Sequence, residues 1–397
     1  MGAAETFQSN PAPPRAADRP STPAAVPVRF RHIDSLRAVA ALLVVWLHFA
    51  QFLGPVSGPD PWAFGFLQAG PRSLDVGRVG VIIFFAISGF VICRSFGGPS
   101  EGRERRFVVR RLCRLYPAYW VSMVAGVLWW WQTGRAVNWQ TLAANLTMVP
   151  MFFRQEPLIG VYWTLHVEMI FYVLCLVLHR TGWLERPATL ASVVLALAGL
   201  SRLLRIIDRT QTTGPVIGRH LFVLGLAVMI WGALFRTVYD RTGGFRRGVR
   251  GHRGVWLTVG VALALPVVLD PRVGWFLMGL GDGHAPSHFA TAVGLWTFAL
   301  WVAWLRVEHP VLTFLGDVSY STYLFHAVLV LAINQLLTEH AALRAWNFSN
   351  WLYFAAVGAS TLLLAAAVYR WVERPAIALG KRWTGSDLIP PVREAAS

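Results

Sequence analysis

Long apolar stretches run through most of the chain, and short polar stretches rich in arginine separate them. Ten of these stretches are about long enough for a helix to cross a hydrocarbon core of ~30 Å. They are residues 33–53, 76–95, 115–131, 161–179, 187–205, 216–236, 254–269, 288–306, 311–338 and 350–372. None shows the sustained apolar–polar alternation that a membrane barrel requires. The pattern predicts an all-α protein, a polytopic transmembrane helical bundle of about ten spans.

One shorter apolar stretch, residues 141–153, does not fit this scheme. It contains Asn145 and Pro150 and is too short to cross a bilayer, so we expect a re-entrant or interfacial segment. The two halves of the chain show no visible repeat. Secondary transporters often carry such a repeat, and its absence weighs against that class.

The composition supports a membrane protein. Hydrophobic residues make up 55% of the chain and charged residues only 14%, against about 25% charged in soluble domains. The net charge of +16 would suggest nucleic acid in a soluble protein. Here the positive charges cluster between apolar stretches, so membrane topology explains them, and we predict membrane lipids rather than nucleic acid as partners.

Arginine is concentrated in alternate loops, which indicates the orientation of the chain. If the N-terminus is cytoplasmic, the inner loops contain the clusters at 103–114, 180–186 and 241–253. The outer loops then carry few basic residues, as the positive-inside rule requires. An even number of spans places the basic C-terminal residues inside as well. The prediction is a multi-pass protein of the cell (cytoplasmic/inner) membrane with both termini cytoplasmic.

The domain prediction follows from the same pattern. Residues 1–28 are rich in Ala, Pro and Arg and lack the apolar core of a signal peptide, so we expect a disordered cytoplasmic tail. Residues 29–382 form the membrane domain, and 383–397 form a second disordered tail. The cysteines at 93, 113 and 175 are odd in number and match neither a disulfide framework nor a zinc site. No metal site is predicted.

Four ionisable residues lie inside the predicted spans. Arg37 and His48 share the first span, eleven positions or roughly 16 Å apart along a helix. Glu168 and His326 lie in the fourth and ninth spans, at depths similar to that of His48. Ionisable groups in spans usually have a function or a partner, although each could simply bond a neighbouring helix. The common depth predicts that His48, Glu168 and His326 share one polar cavity.

The first span resembles the opening of a known family. Its sequence IDSLRAVAALLVVWLHFA is similar to the start of the acyltransferase 3 family of integral-membrane O-acyltransferases, in which an arginine and a histidine are separated by ten residues. Five further segments match in the family's order: GVIIFFAISGFVI (80–92), RRLCRLYPAYW (110–120), YWTLHVEMIFY (162–172), LGDVSYSTYLFH (315–326) and YRWVERP (369–375). The resemblance covers residues 31–382. Ile82 and Met169 stand where the family often has acidic residues.

The resemblance implies transfer of an acyl group from acyl-CoA to a hydroxyl. Family acceptors suggest a sugar, a glycolipid or a glycosylated small molecule, and acetyl-CoA is the simplest donor. The chain resembles the stand-alone form, without a fused extracytoplasmic esterase-like domain. A sugar hydroxyl needs a general base, and histidine is suited to that role near neutral pH. We expect His48 to be this base and Glu168 to orient it or balance its charge; an acyl-histidine intermediate is a variant.

Coenzyme A carries phosphates, and arginines bind phosphates bidentately. The candidates are Arg37, Arg110, Arg111 and Arg114, although the same cluster would also anchor the topology. The predicted substrate-binding residues are Ser88, Trp163, Tyr320 and His326. Helix packing is an alternative role for Ser88, because it lies in a Ser-Gly-Phe segment.

Glu373, near the inner boundary, is expected to pair with Arg370 or Arg374. Two other functional classes stay open. One is a transporter or flippase of a lipid-linked or acylated molecule. The other is a non-catalytic membrane assembly or receptor protein.

Overall fold

A helix covers most of each predicted apolar segment. The protein is represented by a computed structural model that describes residues 30–52, 74–97, 101–210, 218–242, 253–278, 288–340 and 350–385. The helices are α1 (Arg31–Phe52), α2 (Val76–Ile92), α3 (Arg103–Gln132), α4 (Trp139–Leu146), α5 (Trp163–Arg180), α6 (Pro187–Thr210), α7 (Arg219–Arg241), α8 (Arg253–Leu269), α9 (Arg272–Leu277), α10 (Phe289–Leu300), α11 (Pro310–Asp317), α12 (Ser319–Glu339), α13 (Asn350–Val368) and α14 (Arg374–Trp383). Across these ranges the structure contains no strand.

The helices described here belong to one unit, Arg31–Ser397. Six helical stretches in the described residues are long and apolar enough to cross a membrane: Arg31–Gln51, Gly160–Arg180, Pro187–Ile207, Arg219–Arg241, Ser319–Glu339 and Trp351–Trp383. Val76–Ile92, Thr258–Leu269 and Phe289–Leu305 are shorter apolar helices. The all-helical architecture and its apolar stretches indicate a multi-pass membrane protein. The predicted tails lie outside the described residues, apart from the end of α14 and the turn after it.

The predicted ninth span is wrong as a single helix. The chain breaks at Val318 between α11 and α12. The hydroxyl of Ser319 bonds the carbonyl oxygen of Gly316 at 2.7 Å, and a side chain that bonds nearby backbone competes with a continuous helix. Residues 141–153 hold most of α4 and a 3₁₀ turn at Pro150–Phe153, so this stretch forms two short helical pieces.

Helix α2 lies at the centre of the packing. It contacts α1, α7 and α10, while α1 also packs against α11 and α12. Two glycines allow the backbones of α2 and α7 to approach closely. A Cβ at Gly89 would lie 1.8 Å from the carbonyl oxygen of Met229, and one at Gly232 would lie 2.3 Å from that of Ala86. Small residues are what permit such contacts between membrane helices.

We expect Gly89→Ala to lower the thermal unfolding midpoint in detergent. The added methyl group would meet backbone that cannot rotate away, and overpacking of this kind costs about 1–3 kcal/mol. The matched control is Gly199→Ala in α6, where a Cβ would meet nothing within 4 Å. Alanine favours helix over glycine, so the control should keep or raise the midpoint. Equal midpoints for the two variants would contradict the close α2–α7 contact.

Candidate active site

Two cavities lie side by side between the helices around α2. The arginine cavity, of about 770 Å³ including its mouth, is enclosed by α1, α2, α3, α5 and α12. The histidine cavity, of about 760 Å³, is enclosed by α1, α2, α7, α12 and the start of α5. Polar residues lining the arginine cavity include Arg37, Ser88, Arg111, Arg114, Glu168 and Tyr320. Those lining the histidine cavity include His48, Asp75 and Arg78, beside Trp163.

Three guanidinium groups converge on the arginine cavity. Arg37 is held by Asp34, one turn earlier on α1, at 3.2 Å. Arg111 donates to the Ser95 hydroxyl and lies over the ring of Tyr172, 5.5 Å from its centroid. Within the described residues, Arg114 has neither a hydrogen bond nor an ion pair. A half-buried guanidinium without a protein partner retains all five of its donors for a ligand.

Glu168 lies among these arginines. Its carboxylate accepts a hydrogen bond from the Tyr172 hydroxyl at 2.5 Å and a long one from Ser88 at 3.4 Å. Tyr172 follows Glu168 by four residues on α5, so both side chains project from one helix face. Glu168 also acts electrostatically on Arg37. The cavity therefore combines three cations with one lining carboxylate and is positive on balance.

His48 and His326 form a pair beside the histidine cavity. The nitrogens His326 Nε2 and His48 Nδ1 are 3.3 Å apart, and the rings meet edge to face with centroids 5.0 Å apart. His326 is completely buried, at 0% exposure, whereas His48 lines the cavity. Of the three residues predicted to share one cavity, the structure brings these two histidines together. His326 itself lines neither cavity, and its contact with substrate stays a prediction.

The backbone around this pair determines where the protons lie. A carbonyl oxygen only accepts, so His326 Nδ1, 2.7 Å from the Tyr323 oxygen, carries a proton. His326 Nε2 is then an acceptor for His48 Nδ1, whose proton also faces the Val44 carbonyl at 2.9 Å. This leaves the lone pair of neutral His48 on Nε2. That nitrogen has no hydrogen-bond partner in the described part of the chain, and a base at this position can take a proton from a ligand.

The structure does not bring together His48 and Glu168, which were predicted to act as partners. No hydrogen bond joins them within the described ranges, and they line different cavities. The positions of residues along α5 explain why His48 and Glu168 are apart. Trp163, at its start, lines the cavity of His48, while Glu168 lies five residues or roughly 7.5 Å further along the helix, beside Arg37. Depth estimated from span ends does not resolve a difference of one and a half turns.

Only three of the four predicted arginines line the arginine cavity. Arg37, Arg111 and Arg114 line the arginine cavity, but Arg110 does not. Its Nε donates to the hydroxyl of Thr384 at 2.9 Å, because α14 packs against this side of α3. The sequence shows four arginines near the start of spans. The packing of α14 against α3 explains why Arg110 does not face the cavity.

Glu373 departs from its predicted ion pair. Its side chain is fully buried, and Oε2 accepts from the Ser321 hydroxyl at 2.9 Å. The cations that act on it electrostatically are Arg114 and Arg37 rather than Arg370 or Arg374. A π-helical turn at Tyr369–Glu373 separates α13 from α14 and directs this carboxylate inward. Helical periodicity assumes a constant 3.6 residues per turn and does not anticipate such a turn.

The remaining predicted residues are distributed between the two cavities. Ser88 and Tyr320 line the arginine cavity, and Trp163 lines the histidine cavity. The Tyr320 hydroxyl is held by the Leu115 carbonyl at 2.9 Å. Lining residues that were missed include Asp75 and Arg78 in the histidine cavity and Tyr172 in the arginine cavity. Asp75 caps α2, because its carboxylate accepts a hydrogen bond from the backbone amide of Arg78 at 2.9 Å. In the sequence, a polar residue just before an apolar stretch indicates only a helix cap, so its place in the cavity was not predicted.

The chain is similar to several known proteins. A family model described as an acyltransferase domain matches residues 30–370. Nodulation protein 10 of Rhizobium leguminosarum bv. viciae is 24% identical over 390 residues, covering 88% of this chain and 93% of the relative. Exopolysaccharide production protein ExoZ of Rhizobium meliloti (strain 1021) is 28% identical over 335 residues, 77% of this chain and 91% of the relative.

A third relative is matched over a shorter region. The O-acetyl transferase of Shigella phage Sf6 is 28% identical over 156 residues, 36% of this chain and 43% of the relative. No solved structure gives a significant match. Because the family model covers most of the chain, including every residue that lines either cavity, the chain belongs to the acyltransferase 3 family.

Proposed function

We propose that the protein transfers an acyl group from acyl-CoA to a hydroxyl of a sugar or glycoconjugate, with His48 as the general base and acetyl as the simplest acyl group. One observation carries the proposal: the cationic cavity and the cavity of the unpartnered His48 Nε2 meet at a common wall. The names of two relatives, an O-acetyl transferase and an exopolysaccharide production protein, support acetyl transfer to a saccharide.

In this proposal the arginine cavity receives coenzyme A. Arg114 and Arg111, with Arg37, bind its phosphates, since guanidinium and phosphate form strong, charge-assisted bidentate bonds. Glu168, held by Tyr172, balances part of the positive charge when no donor is bound. Ser88 and Tyr320 line the route of the thioester arm. Glu168 thus keeps the charge-balancing role predicted for it, but toward the arginines rather than toward His48.

The acceptor enters the histidine cavity, where Trp163 offers an aromatic face and Asp75 and Arg78 offer polar contacts for a saccharide. The acceptor oxygen attacks the thioester carbonyl carbon, a C–O bond forms and the C–S bond breaks. His48 Nε2 takes the hydroxyl proton and returns it to the departing thiolate, so the products are the ester and free coenzyme A. His326 keeps the imidazole oriented through its bond to His48 Nδ1.

A ten-span topology with both termini cytoplasmic, in the cell membrane, is consistent with these roles. In that topology α2, α5 and α7 begin at the outer face, and their first turns supply Asp75, Trp163 and Leu221 to the histidine cavity. The chain enters α1 and α3 from the inner face, near Arg37 and Arg111. The donor cavity would then open toward cytoplasmic acyl-CoA and the acceptor cavity toward the outside.

The test is an assay of purified protein in nanodiscs with acetyl-CoA and candidate saccharide acceptors. We expect release of free thiol that depends on the acceptor, together with an acetyl ester on the saccharide detected by mass spectrometry. A transporter or flippase would move its cargo without acceptor-dependent thiol release. Absence of ester formation with every saccharide, glycolipid and glycoside tried, from protein that binds acetyl-CoA, would count against the proposal.

A further inference from the structure

Three residues separate the two cavities and line both of them: Val81, Phe85 and Tyr323. Val81 and Phe85 are four residues apart on α2, so they project from one face of that helix. Tyr323 comes from α12 on the opposite side. The side chains of Phe85 and Tyr323 are nearly closed to solvent, at 4% and 8% exposure. We call these three residues the dividing wall.

Two members of the wall are rigid. The Tyr323 hydroxyl is fixed by two partners, the hydroxyl of Thr164 at 2.8 Å and the carbonyl oxygen of Val161 at 2.9 Å. Val81 is β-branched, which restricts its side chain to few rotamers. An opening between the cavities therefore depends on Phe85, whose ring has no polar anchor.

The space around Phe85 limits how far its ring can move. The ring meets Trp163 edge to face, with centroids 6.1 Å apart. Behind it lies Gly225 of α7, where a Cβ would be only 2.7 Å from Phe85 Cε2. The ring thus fills the gap between the cavities against a helix backbone, and any group that crosses must fit the space that its displacement frees.

The proposed chemistry requires such a crossing, because the phosphate-binding arginines and His48 Nε2 lie on opposite sides of the wall. The wall is apolar apart from a hydroxyl that is already bonded. It can admit an acyl group but not the charged part of coenzyme A, and while closed it keeps water from the thioester.

We infer that Phe85, with Val81, determines which acyl groups the protein transfers, by setting the size of the passage from the arginine cavity to His48. The inference rests on the proposed acyl transfer and deepens it. With Phe85 in place the passage suits a short acyl group such as acetyl. A smaller side chain at 85 opens the passage to longer acyl chains, while the phosphate contacts and the base are unchanged.

The test measures kcat/KM for acetyl-, propionyl-, butyryl- and hexanoyl-CoA with one acceptor, for the intact protein in nanodiscs and for Phe85→Ala. We expect the ratio of butyryl to acetyl transfer to rise by about tenfold or more, since one methylene in an apolar pocket is worth at least that much in specificity. Phe85→Leu and Val81→Ala should shift the ratio in the same direction by less, and they carry the test if Phe85→Ala does not fold.

Matched controls lie on the same helix. Val79 and Ile83 are buried on α2 but line neither cavity, so Val79→Ala and Ile83→Val should keep the wild-type ratio. If the wall variants transfer acetyl but retain the wild-type ratio, or if the controls change it equally, the inference is overturned and the acyl transfer stands. If the wild-type protein transfers no acyl group at all, the proposed function and the inference both fail.

Discussion

Replacing His48 by alanine is expected to lower kcat/KM for acyl transfer by about 10²- to 10⁴-fold, the usual contribution of a positioned general base. The fall should appear mainly in kcat, because His48 lies across the dividing wall from the arginines that we propose to bind the donor. His48→Gln should be equally inactive, since an amide can replace the hydrogen bond to Val44 but cannot take the hydroxyl proton.

A matched control is His166→Ala. His166 is also a buried histidine on a membrane helix, packed against Phe152 and Phe222, but it lines neither cavity. That variant should retain transfer when corrected for the amount of folded protein. His48→Ala protein that is monodisperse in detergent and still transfers acyl groups at the wild-type rate would refute the assignment of the base.

Replacing Arg114 by alanine is expected to raise the KM for acyl-CoA by about 10- to 100-fold, with a smaller effect on kcat. Hydrogen bonds to charged groups contribute about 1.5–3 kcal/mol, and every 1.4 kcal/mol is a factor of ten in affinity. The large expected effect follows because Arg114 makes neither a hydrogen bond nor an ion pair in the described residues, so that its full donor capacity is available to the ligand.

The control for this variant is Arg110→Ala, one helical turn earlier. Arg110 has the same charge and the same membrane-boundary position but is bonded to Thr384 outside the cavity. Its replacement should leave the donor KM unchanged, which separates phosphate binding from topology. A second comparison uses acyl-pantetheine, which lacks phosphates. Wild-type and Arg114→Ala protein should have equal KM for it, and a persistent difference would place Arg114 in some other role.

Several structural conclusions required only the sequence. The apolar stretches predict the helices because lipid offers no partner for backbone polar groups, so a spanning segment must bond within itself. The six motifs identify the family, and the matched region of 30–370 confirms it. His48, Glu168 and His326 were expected in one cavity because all three are ionisable groups at a similar depth, and the structure joins only the two histidines, at 3.3 Å.

The corrections share a physical cause. Glu168, Arg110 and Glu373 were each placed by counting residues along one helix. Their surroundings depend instead on how helices pack. Helix α5 begins beside His48, but Glu168 lies further along it, next to Arg37, and Arg110 bonds Thr384 after α14. Glu373 is buried at the end of a π-helical turn. A shift of one turn moves a side chain by about 5.4 Å, enough to change cavity.

The sequence alone thus determined the membrane class, the helical elements, the family and the residue types available for catalysis, because these follow from local hydropathy and motif order. Only the tertiary structure decided that the arginines and His48 line two different cavities, that Val81, Phe85 and Tyr323 separate these cavities, and that His48 presents Nε2 rather than Nδ1. Those features arise from contacts between helices distant in the chain, and no single helix encodes how its neighbours approach it.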